Sequence, residues 1–138
     1  MALSASSAVL GAILAVLAST TIAAHHGNAS FDTSKQVTLK GTVTEWIWAN
    51  PHCFLKIDAM DDTGGVRNWA LETQNPTAMT QRGFSRTLFK AGDEVTVVVE
   101  PVKNGQPIGR LLTVLLANGQ KLVAAPPTTL ENAPLRPQ

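Results

Sequence analysis

One stretch limits the possible folds more than any other: Val37-Thr38-Leu39-Lys40-Gly41-Thr42-Val43-Thr44-Glu45-Trp46-Ile47-Trp48, in which Val37, Leu39, Val43 and Ile47 alternate with Thr38, Lys40, Thr42 and Thr44. A period of two belongs to a half-buried β-strand, since successive side chains point to opposite faces of a sheet. Gly41 inside it predicts a bulge or a sharp bend, as expected where one strand serves two parts of a curled sheet. Asn50-Pro51 interrupts the run, and residues 52–60 read as a second strand ended by the turn Asp61-Asp62-Thr63-Gly64-Gly65. A third strand, 66–73, carries Trp69 and Leu71 on one face. Asn75, Pro76 and Gly83 then supply a cap, a first-turn proline and a terminator for a short helix. Turns at Ala91-Gly92-Asp93, Asn104-Gly105 and Asn118-Gly119 separate further strands at 94–102, 110–117 and 120–124.

Strands this short need closure or a second sheet to hide their edges. Three strands, a helix and two or three more strands predict a mainly β protein: a small five- to six-stranded barrel like the oligonucleotide/oligosaccharide-binding (OB) fold, with one short helix between strands 3 and 4. An open α+β roll is the other arrangement compatible with this order. The expected divisions are a signal peptide at 1–24, a loose polar arm at 25–36, the barrel at 37–124 and a disordered tail at 125–138, where four prolines fall in 14 residues.

The signal peptide is read from the charge-free opening. Ala8–Ala18 is a run of 11 residues without a polar side chain, followed by Ser19, Thr20 and Thr21. A helix needs about 20 apolar residues to cross a bilayer, whereas an export signal needs about 7 to 15 and then small residues. Cleavage falls after Ala23 or after Ala24, an uncleaved anchor being the alternative. The expected location is periplasmic or secreted, with no stable membrane span. The balance of 11 Lys+Arg against 10 Asp+Glu, a net +1, removes the electrostatic case for nucleic acid. One cysteine, Cys53, cannot form an intrachain bridge; flanked by Phe54 and Leu55, it reads first as a buried thiol.

The motifs of metalloproteases, serine hydrolases, phosphate loops, paired CxxC sites and dinucleotide folds are all missing, and no general base or nucleophile with a partner can be named, so a non-enzymatic binding role is expected. Asp58, Asp61 and Asp62 do not alternate around a central glycine as calcium ligands do, and read as a solvated turn. The histidines are the constellation that stands out. His25 and His26 follow the cleavage site, and His52 follows the Asn50-Pro51 corner. A new amino terminus, its amides and the His pair can chelate Cu(II) in square-planar nitrogen geometry, with His52 as third ligand. The competing readings are a solvated arm for His25 and His26, and a backbone-bonded corner for His52. Trp46 and Trp48, with Asn50 and Phe54, form a second candidate: a face for a periplasmic protein partner or a sugar, unless the indoles belong to the core.

His25-His26, Phe31-Asp32, the Val37–Thr44 segment, Trp48-Ala49-Asn50-Pro51-His52, Trp69, Arg82-Gly83 and Gly92-Asp93-Glu94-Val95 together resemble a family of small exported bacterial proteins of unknown function. The resemblance runs from His25 to about Val123. It implies a periplasmic OB-like barrel and supplies no activity; in that pattern the position of Cys53 is usually apolar.

Overall fold

The computed structural model describes residues 30–61 and 63–127. Six strands form one sheet: β1 (Val37–Ile47), β2 (Phe54–Met60), β3 (Val66–Glu72), β4 (Glu94–Pro101), β5 (Ile108–Leu116) and β6 (Lys121–Val123), with one helix, α1 (Pro76–Gln81), between β3 and β4. Their order is β3-β2-β1-β4-β5-β6. A parallel pairing of Ala70–Glu72 with Ile108–Arg110 joins β3 to β5 and closes the first five strands into a barrel. β6 lies outside that ring, paired only with the second half of β5. The turn signals thus place the helix and all six strands correctly.

β1 is shared between two partners. Its first half, Val37–Thr42, pairs with β4, and Gly41–Ile47 pairs with β2, so both neighbours are held at Gly41. A Cβ there would come within 2.6 Å of the Asp58 carbonyl oxygen, closer than packed atoms approach, and glycine is what lets the strand turn from one partner to the other. The bulge itself lies further on, between Val43 and Glu45. That extra residue reverses the parity of everything after it. Trp46 now stands opposite the buried Leu55, on the same side as Val43, while Ile47 stands opposite Phe54 on the outer face. The plain alternation of the sequence puts Trp46 and Trp48 opposite Val43 and Ile47; the bulge corrects this.

The inside of the barrel is filled by β-branched and aliphatic residues, among them Val43, Leu55, Ile57, Leu71, Val97 and Val114, all essentially inaccessible to water. Each such side chain contributes about 1.5–3 kcal/mol of transfer free energy. One end is plugged by aromatic rings. Asn75 caps α1, its side-chain oxygen accepting from the Ala78 amide at 2.9 Å, and Gly83 at φ +86° turns the chain so that Phe84 enters the core.

The arm is not loose throughout. Phe31 is 3% exposed and forms a bridge with Val102, and the Asp32 amide donates to the Pro101 carbonyl at 2.7 Å. An apolar ring in an otherwise polar segment is the physical reason: burying it offsets the entropy of ordering the arm at that point. Residues 1–29, with the expected signal peptide, and 128–138, most of the expected tail, lie outside the described residues. No helix among the described residues is long and apolar enough to cross a membrane.

Candidate functional site

The corner between β1 and β2, residues 48–53, is built by extending the β2–β3 ladder past its last paired strand residues. The Cys53 amide donates to the Gln74 carbonyl at 3.0 Å, and the Thr73 amide donates back to the Cys53 carbonyl at 2.9 Å. The Thr73 hydroxyl adds a third bond to the same carbonyl at 3.0 Å. Strand alternation then separates the neighbours His52 and Cys53. Cys53 points inward and is fully buried; burial pushes its thiol pKa up, which keeps it protonated. His52 points outward with 45% of its side chain exposed. The peptide between Asn50 and Pro51 is cis, and Asn50 is exposed just before it.

His52 Nδ1 lies 2.8 Å from the Thr73 carbonyl oxygen and 2.9 Å from Glu72 Oε1. A carbonyl and a carboxylate only accept hydrogen bonds, so Nδ1 carries the proton, and the lone pair of the neutral ring resides on Nε2. This is the arrangement that metal-binding histidines use: one ring nitrogen donates to a carbonyl or carboxylate, and the other is left for an ion.

Glu72 belongs to a row of side chains running across the outside of the barrel. The pairing registers set Phe54 beside Glu72, Glu72 beside Arg110, and Arg110 beside Glu100. Arg110 Nε donates to Glu100 Oε2 at 3.0 Å, and Nη2 donates to the same oxygen. Glu100 is wholly buried although it faces outward, and the Arg110 guanidinium lies 5.6 Å from the centre of the Phe31 ring. A carboxylate this far from water needs a fixed cation and hydrogen bonds, which Arg110 supplies together. Phe31, Arg110, Glu72 and His52 therefore form a continuous line from the root of the arm to the exposed imidazole.

The other sequence candidates divide. Phe54 is half-buried beside Glu72 and joins His52 on the outer face. Trp46 and Trp48 go to the aromatic end of the barrel. The Trp46 ring centre is 5.1 Å from Phe89, edge to face, and 5.6 Å from Trp48, and its indole N–H donates to the Ser85 carbonyl at 2.9 Å. Both indoles pack against the core cluster. His25 and His26 lie outside the described residues. Among the described residues there is no group of three or more His, Cys, Asp or Glu side chains that could hold a metal. Asp61 closes its turn on itself: Oδ1 accepts from the Thr63 hydroxyl and amide and the Gly65 amide, and these bonds, the hydroxyl's foremost, hold its pKa below the usual aspartate value.

Sequence reasoning missed Glu72, Thr73, Glu100 and Arg110. A signal was available, since Glu100 and Arg110 are charges set inside the otherwise apolar or neutral runs Val95–Pro101 and Ile108–Leu116. Neither run discloses the other as its partner. A wide groove on another part of the outer surface, bordered by Lys40, Met60, Val66, Glu94 and Leu115, includes none of His52, Glu72 or Arg110.

No curated protein and no solved structure matches the chain. A family model matches residues 13–111, which is most of the barrel and the segment before it, and by this match the chain belongs to the family of unknown function DUF6152.

Proposed function

We propose that the protein is an exported copper-binding protein in which His25 and His26, at the processed amino terminus, capture Cu(II) and His52 completes the coordination. The observation that carries this reading is the state of His52: its Nδ1 proton is committed to Thr73 and Glu72, and Nε2 is a neutral nitrogen donor on an exposed ring. Imidazole nitrogen is a preferred ligand of Cu(II), and copper binds more strongly than the other divalent ions of its row to such donors. The anchoring of the arm at Phe31 favours the same reading, because it roots the segment bearing His25 and His26 on the line of residues that ends at His52. The charge-free opening with its small residues supports export, which supplies the free amine. Strand order and helix position match the OB barrel, whose ligands lie on the β2–β3 face and the loop between β1 and β2. His52, Phe54 and Glu72 occupy that loop and face.

Cu(II) titration of the protein recovered after export, followed by visible absorption, tests the reading. One equivalent is expected to bind with a band from nitrogen coordination, and His52→Ala is expected to shift the band to lower energy as one nitrogen is lost. Equal binding by the His25→Ala, His26→Ala double variant contradicts it.

A further inference from the structure

We propose that Phe31 is a positioning residue which keeps the His25–His26 pair within reach of His52, so that closing the site is an intramolecular step; this rests on the copper reading above. The argument starts from what fixes the arm. Phe31 is 3% exposed, whereas Ser30 and Asp32 on either side remain partly accessible, so the ring is the plug. Three backbone contacts flank it: the bridge to Val102, the Asp32 amide to Pro101, and the Lys103 amide to the Ser30 carbonyl at 3.1 Å. The guanidinium of Arg110 at 5.6 Å adds a cation–π contact on the ring.

The distances then favour contact. From Phe31 the line passes to Arg110, across one strand spacing of about 4.8 Å to Glu72, and from the Glu72 carboxylate 2.9 Å to His52. His26 is joined to Phe31 by five peptide units, which span at most about 17 Å when extended. The tether is therefore comparable with the gap it must bridge, the condition under which effective concentration is greatest. Without the Phe31 plug the first strand-bound residue is Val37, and the tether from His26 lengthens from five units to eleven. Effective concentration falls roughly as the −3/2 power of length, so the loss is about threefold.

Paramagnetic relaxation tests this without copper. A nitroxide is attached to the full chain through His26→Cys in a Cys53→Ala background, and the broadening of the His52 ring protons is measured. Strong broadening is expected in this parent, about threefold less in Phe31→Ala, and full broadening in Phe31→Leu, which keeps an apolar plug. Far-UV circular dichroism confirms the fold of each. Should Phe31→Ala not fold, a six-residue Gly/Ser insertion between Ala29 and Ser30 leaves Phe31 in place and is expected to give the same threefold loss by length alone. Weak broadening in the parent, or unchanged broadening in folded Phe31→Ala or in the insertion variant, overturns the proposal. A parent that shows the proximity but binds no Cu(II) fails the copper reading and leaves the positioning role of Phe31 standing; one that binds Cu(II) without the proximity fails the positioning role alone.

Discussion

Two sides of the same corner contrast sharply. Before it, Trp46 and Trp48 turn into the aromatic end of the barrel, where Phe84 and Phe89 receive them and Ser85 takes the Trp46 N–H. After it, His52 turns out to a wall made of Glu72, Arg110 and Glu100, with an edge of its imidazole in water. The first region spends its polar groups internally and presents little chemistry. The second keeps one nitrogen unspent. The difference comes from two small backbone facts, the extra residue between Val43 and Glu45 and the alternation of His52 with Cys53. Residues adjacent in sequence can thus be divided between architecture and presentation by parity alone.

If that division is right, the aromatic end governs stability without governing metal affinity. The largest effect is expected from Phe84→Ala, which empties a fully buried ring site. Urea denaturation should show a loss of about 3–5 kcal/mol, with Cu(II) affinity of the folded fraction unchanged. A fall in affinity there would break the comparison. On the opposite wall, Glu72→Ala removes the carboxylate beside His52 Nδ1. Titration should then show Cu(II) affinity reduced about 10- to 100-fold, the usual consequence of losing a partner that orients a ligating histidine. Unchanged affinity would mean that His52 is not the donor.

Smaller changes sharpen the picture. Trp46→Phe keeps most of the apolar volume and loses the bond to Ser85, and should cost about 1 kcal/mol in the same denaturation assay. Its metal binding should equal that of the parent. Smallest of all is the Asp61 turn, remote from both regions. Its carboxyl pKa is depressed in the folded state, so its contribution is present above the ordinary aspartate range and is lost as pH falls through the folded value. A carboxyl NMR titration should find Asp61 below the unfolded value, and Asp61→Asn should flatten the acid limb of stability slightly while leaving copper untouched.

Much of the fold could be read from the chain because local rules set it. Asn75, Pro76 and Gly83 bound the helix as their capping chemistry requires, and each predicted turn separates the strands expected of it. Gly41 marks the shared bend correctly. The bulge after Val43 carries no glycine and is not visible in a pattern of types, so the side taken by Trp46 could not be read. For the candidate site, His52 and Phe54 were legible from their place at the corner. Glu72, Glu100 and Arg110 were not, because they meet only through the registers that close the barrel, between residues 28 and 38 positions apart or across β4 and β5. Phe31 was read in a polar arm, where nothing local reveals the docking site at Val102.

The central claim is that the barrel holds His52 with its Nδ1 protonated and Nε2 free to accept an ion. Long-range nitrogen–proton NMR correlation of the imidazole, recorded above the pH at which the ring is neutral, tests it most directly. The account predicts an Nδ1 shift of the protonated kind, an Nε2 shift of the lone-pair kind, and selective loss of the His52 signals on adding less than one equivalent of Cu(II). An Nε2-protonated ring, or a His52 signal indifferent to copper, would contradict it.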